Sequence, residues 1–231
     1  MPEFSTRQSA PRTSDGGGAT GNALLPSLRT ISGRQFSDLL LFVVTSAELI
    51  ILCRLEPELT LVDWIYVAQH LVVLGIALTR PAPAAKDWSL PTCVAVAVSC
   101  GYPYAQVIYL NWANGYVLSP DASIVLVMAS AGLSLASLLW LGRFFGLRPA
   151  LRGLVTTGPY ALVRHPMYLA YVVSDVGYNL DEWNLGTVLV VLAGWASLVW
   201  RIYAEERVLS QDPHWPAYAN AVRYRLIPCI W

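Results

Sequence analysis

From about residue 36 onward the chain repeats one theme: a long apolar run, then a short polar connector. The runs cover Phe36–Leu52, Leu61–Thr79, Leu90–Leu110, Ala122–Leu141, Pro166–Leu180 and Trp183–Tyr203. Each approaches the roughly 20 residues that an α-helix needs to cross a bilayer. The fourth holds no charged residue at all, while the fifth is short and partly polar. The pattern predicts an all-α, polytopic membrane protein with about six transmembrane segments, the last two forming a helical hairpin. Residues 1–35 are of another kind. Ser9–Gly18 is rich in Ser, Pro and Gly and has little to bury, so a flexible tail is expected, without the apolar core of a secretory signal. The expected division is a tail over 1–35, four helices over 36–141, and a C-terminal unit over 142–231.

Composition strengthens this reading. Hydrophobic residues make up 55% and charged residues 13% of the 231-residue chain, about half the charged share usual in soluble domains. Lipid is therefore the expected solvent. A formal net charge of zero removes the electrostatic case for a nucleic-acid partner. Cys53, Cys93, Cys100 and Cys229 show no paired short spacing, so neither a disulfide framework nor a metal site is expected. With the N-terminus inside, every Lys and Arg except Arg54 falls on inner segments, the excess expected of cytoplasmic loops. Both termini are then cytoplasmic. Short loops and the lack of an added domain suit a bacterial inner membrane, and argue against a protein-borne acceptor.

Two inner stretches are larger than a bundle needs, Gly142–Pro166 and Ala204–Trp231. In the first, Gly158-Pro159 marks a turn and Pro166 suits the first position of a helix, where its missing N–H costs nothing. Arg164 and His165 then stand at the positive end of that helix, where an anionic group is welcome. Read blandly, Arg164 only sets topology. In the second, Glu205 and Glu206 follow the last span and could be a solvated cluster with Arg207. Length decides between these readings. The two arms of the hairpin measure about 27 and 30 Å at 1.5 Å per residue, so the carboxylates return to the depth of Arg164 and His165. Convergence of both halves favours a site.

These residues carry a resemblance. Gly158-Pro-Tyr160, Arg164-His-Pro-x-Tyr168, Glu205-Glu206 and the closing Tyr218…Arg223-Tyr-Arg-Leu-Ile-Pro228 resemble the isoprenylcysteine carboxyl methyltransferases and phospholipid methyltransferases of membranes. The resemblance covers Leu141–Trp231, making 142–231 a methyltransferase core. It implies S-adenosylmethionine as methyl donor, a lipophilic acceptor, and a cytosolic cofactor site closed by the C-terminal segment. The acceptor would be an isoprenoid carboxylate, a phospholipid amine, or a small hydrophobic acid or thiol. Arg164, Glu205 and Glu206 are the expected catalytic residues. Leu154, Val155, Gly158, Tyr160, His165, Pro166, Tyr168, Glu205, Tyr218 and Arg225 are the expected cofactor contacts. Arg164 is suited to a carboxylate, and Tyr160 and Tyr168 to adenine or a sulfonium.

Other features are read more plainly. Glu48 and His70 lie about 18 and 15 Å into their spans and are expected to pair between helices. Asp175 is expected to hydrogen-bond across the hairpin. Trp195 and Trp200 read as interface anchors, and Gly132-x-x-x-Ala136 as a close helix contact. Two rivals remain: an NADPH-dependent membrane reductase of related fold, and a non-catalytic transporter or assembly protein working through Glu48, His70 and Asp175.

Overall fold

The computed structural model of the chain describes residues 61–110, 120–181 and 184–231, besides Val43, Ser46, Ala47 and Ile50. All lie in the compact unit Ser37–Trp231. The described residues run α1 (Leu61–Thr79), β1 (Ala85–Lys86), α2 (Leu90–Leu110), α3 (Pro120–Leu141), β2 (Ala150–Leu151), α4 (Pro166–Asp181), α5 (Leu185–Leu209) and α6 (Trp215–Ala221). Two 3-10 turns, Gly142–Phe144 and Gly158–Ala161, complete the order. The fold is mostly helical, as the apolar pattern predicts. The expected span Phe36–Leu52 and its Glu48 lie outside the described residues, those four positions apart.

Ala122–Phe144 and Leu185–Leu209 are long and apolar enough to cross a membrane. Their outward faces are apolar too. Val125, Leu139 and Leu185 are 64%, 56% and 69% exposed, surfaces that lipid solvates and water does not. Asn184 starts α5 with a capping box: its side chain accepts from Thr187 N at 2.9 Å, while Asn184 N donates to Thr187 Oγ1 at 3.1 Å. Such a box satisfies two otherwise orphaned backbone donors. At 25 residues, or about 37 Å, α5 is longer than the roughly 30 Å hydrocarbon core. The expected span ends at Tyr203, and α5 runs on past it to Leu209.

α3 packs antiparallel on α4. Gly177 lies so close to α3 that a Cβ would come within 3.0 Å of Val127, while Met167 shares a core with Leu138 and Ile76. α2 packs antiparallel on α5, with Trp200 Nε1 donating to Thr92 Oγ1 at 3.4 Å and Tyr102 lying over Gly194. α1 joins α3 through Gln69, which donates to Ala131 O and accepts from Ser134 Oγ. Asp175 Oδ2 accepts from Tyr102 at 3.0 Å and from Trp195 Nε1 at 2.8 Å, tying α2, α4 and α5 together.

The structure corrects two expectations. Trp195 is not an interface anchor, because its indole N–H is committed to Asp175. Among the described residues Gly132 makes no close helix contact: none of their heavy atoms would meet its Cβ within 4 Å. The close approaches occur at Gly177 and Gly194 instead, since Gly132 is exposed.

Candidate active site

Pro166 begins α4, and the residues just before it are held by the chain's far end. Arg164 N donates to Tyr224 O at 3.0 Å and His165 N to Arg225 O at 2.9 Å. The Arg164 side chain reinforces the join. Nε donates to Val222 O at 2.7 Å, Nη2 to Ala219 O at 2.8 Å and Arg223 O at 3.3 Å, and Nη1 to Glu206 at 3.0 Å. Four of the five guanidinium N–H groups are thus occupied. Arg164 works here as a clamp that binds the end of α6 and the segment after it to the mouth of α4.

Beside the clamp the two glutamates take different partners. Glu206 pairs with Arg164 and, at 2.9 Å, with Arg225 Nε, and lies 3.5 Å from His165 Nε2. Burial works to raise the Glu206 pKa, but the donors His165, Arg225 and Arg164 beside it outweigh burial and bring it to about 2. Glu205 instead accepts from the Tyr168 hydroxyl and lies 3.7 Å from His165 Nδ1. His165 therefore stands between the carboxylates, buried, with Nε2 lacking a properly formed hydrogen bond. Its ring stacks on Tyr168 at 5.6 Å. The Arg225 guanidinium lies beside the paired rings of Tyr203 and Trp231, 5.5 and 5.7 Å from their centroids.

Arg201 was not among the expected site residues. It is buried and donates to Ser99 Oγ at 2.7 Å and Leu147 O at 3.0 Å; its guanidinium lies 5.1 Å over Tyr168 and 3.9 Å from Glu205. As the charge ending a span it reads as a topology signal. Its i,i+4 spacing to Glu205 was the available clue.

The remaining expected contacts gather nearby. Tyr218 donates to Tyr160 O at 2.9 Å and packs with Trp215, Val222 and Leu154. Burial pushes the Tyr218 hydroxyl up to about 12 and raises that of Tyr160 as well. Gly158 has φ +61°, and a Cβ there would run into the Trp140 indole. Val155 is half-buried in the same loop. A shallow groove of about 470 Å³ is lined by Leu154, Thr156, Ala161, His214, Ala217 and Tyr218. Glu205 and Glu206 lie outside that lining, so the groove adjoins the charged cluster rather than containing it.

With this geometry, comparison with known proteins becomes informative. Residues 122–212 match the phospholipid methyltransferase family. The matched stretch spans nearly all of α3, the loop with Gly158, and α4 and α5, so it contains Arg164, His165, Tyr168, Glu205 and Glu206. It ends before α6, leaving Tyr218 and Arg225 beyond it. No curated protein matches the chain. The family and the two apolar helices together indicate a membrane methyltransferase.

Proposed function

We propose that the chain transfers a methyl group from S-adenosylmethionine to a lipophilic acceptor at the cytosolic boundary of a bacterial inner membrane. The protein would cross six times, with both termini inside. The observation that carries this reading is the meeting of Arg164, His165 and Tyr168 with Glu205 and Glu206 at one end of the α4–α5 hairpin. The residues fit the cofactor in two respects. His165 Nε2 is a buried polar atom without a hydrogen-bond partner among the described residues. The shallow groove of about 470 Å³ adjoining the cluster offers a surface beside it.

Bound S-adenosylmethionine supplies a methyl group already activated on a sulfonium. Leu154, Tyr218 and the loop through Val155 and Gly158 would hold it, with Tyr160, Pro166 and Arg225 shaping the surround. Glu206, kept ionised by two arginines, is a weak base and serves to orient. Glu205 and His165 are better placed to take a proton from an amine, hydroxyl or thiol acceptor. A carboxylate acceptor needs no base. The acceptor's tail would remain in lipid while its polar head reaches Glu205.

Incubating the protein in lipid vesicles with methyl-labelled S-adenosylmethionine tests the proposal. Label should pass to an organic-extractable lipid acceptor, and Glu205→Ala should abolish or sharply reduce the transfer. Transfer unaffected by Glu205→Ala would remove the cluster from the chemistry.

A further inference from the structure

β1 pairs antiparallel with β2, Ala85 facing Leu151 and Lys86 facing Ala150. Ala84 N donates to Leu151 O at 2.7 Å and Asp87 N to Pro149 O at 3.2 Å. The pairing brings two cations onto one indole. The Arg148 guanidinium lies 4.0 Å and Lys86 Nζ 4.8 Å from the Trp88 ring centroid. Neither cation has an acidic partner among the described residues. Asp87, the neighbouring carboxylate, is turned into its own loop, where Oδ1 accepts from Ser89 N at 2.8 Å and Oδ2 from Thr92 Oγ1 at 2.7 Å.

Stacking satisfies only part of a guanidinium. The aromatic ring covers its flat face, while its N–H donors point outward in the plane. Arg148 Nη1 is buried and has no hydrogen-bond partner among the described residues. A topology-setting arginine would keep all its N–H groups in water; this one has Nη1 buried and unpaired among the described residues, while the side chain as a whole stays partly exposed. An oxyanion entering from the side completes it, and an arginine fork matches phosphate oxygens especially well. The surroundings favour a lipid as the source. Trp88 is 42% exposed just before the apolar α2, as suits a residue at headgroup depth. Arg143, over Phe144, adds a further cation in the loop leading to Arg148. A cytoplasmic leaflet carrying anionic lipid attracts such a group.

We propose that Arg148 and Lys86, arranged on Trp88, bind the headgroup phosphate of an anionic bilayer phospholipid. The lipid is a resident ligand, separate from the methyl acceptor, and its site does not depend on the methyl-transfer reading.

The test is calorimetric titration of the full-length, delipidated protein in neutral detergent with three ligands. These are dihexanoyl phosphatidylglycerol, dihexanoyl phosphatidylcholine and inorganic phosphate. Phosphatidylglycerol should bind at least about tenfold more tightly than either other ligand. Arg148→Gln should weaken it about tenfold and Lys86→Gln severalfold, with circular dichroism confirming intact folding. Equal binding of the two lipids overturns the site. Inorganic phosphate binding as tightly as phosphatidylglycerol overturns the lipid assignment. If Arg148→Gln does not fold, Lys86→Gln and Trp88→Phe carry the test, and wild-type binding by both refutes the proposal.

Discussion

Arg164 and Glu206, 42 positions apart in the chain, meet at 3.0 Å with each side chain only 12% exposed. The contact joins the mouth of α4 to the end of α5, and the same guanidinium binds the backbone of residues 219–223. Arg164→Ala should therefore cost about 3 kcal/mol, the scale for breaking a buried charge pair. Thermal unfolding in detergent measures it. Arg164→Lys should recover less than half, because an ammonium cannot reproduce the fork. Full recovery by lysine would show that charge alone mattered.

Acid should loosen the same joint. The Glu206 pKa is lowered from 4.5 to about 2 in the folded protein, so its stabilising contribution is complete above the unfolded value. That contribution is lost as pH falls from about 5 towards 2. The unfolding midpoint of the wild type should drop across this window, and Glu206→Gln should flatten that part of the profile. Parallel profiles would contradict the assignment.

Tyr168 donates to Glu205 and stacks on His165, so Tyr168→Phe removes one hydroxyl and preserves the ring. Methyl transfer should fall about tenfold in kcat/KM, equivalent to about 1.4 kcal/mol. Unchanged kinetics would make the Tyr168 hydroxyl structural only.

Asp175 gives a contrasting result. Its oxygen satisfies the Tyr102 and Trp195 donors, so Asp175→Ala should lower stability by about 1–3 kcal/mol per donor left unpaired. Asp175→Asn should retain most methyl transfer. Loss of all methyl transfer in a stable Asp175→Asn protein would instead make Asp175 part of the reaction site.

The helices were the most legible part of the sequence. The end of α1 at Thr79 and the start of α2 at Leu90 coincide in pattern and structure, because an apolar run ends where its solvent changes. α5 continues six residues past Tyr203 to Leu209, since a helix can outlast its apolar stretch. Arm length also brought Glu206 to the depth of Arg164. Backbone partners were hidden. Nothing in the sequence shows that Arg164 donates to Ala219, Val222 and Arg223, because carbonyls carry no sequence signature. Pairings two residues long, such as β1 with β2, are too brief for periodicity to reveal, and the stacking of Arg148 on Trp88 depends on one of them.

The most direct measurement is calorimetric binding of S-adenosylhomocysteine to the detergent-purified protein, beside Arg164→Ala and Glu205→Ala, with NADPH as the control ligand. The account predicts saturable binding to the wild type, weakened in both variants, and none of NADPH. A folded wild-type protein that bound NADPH and not S-adenosylhomocysteine would contradict it.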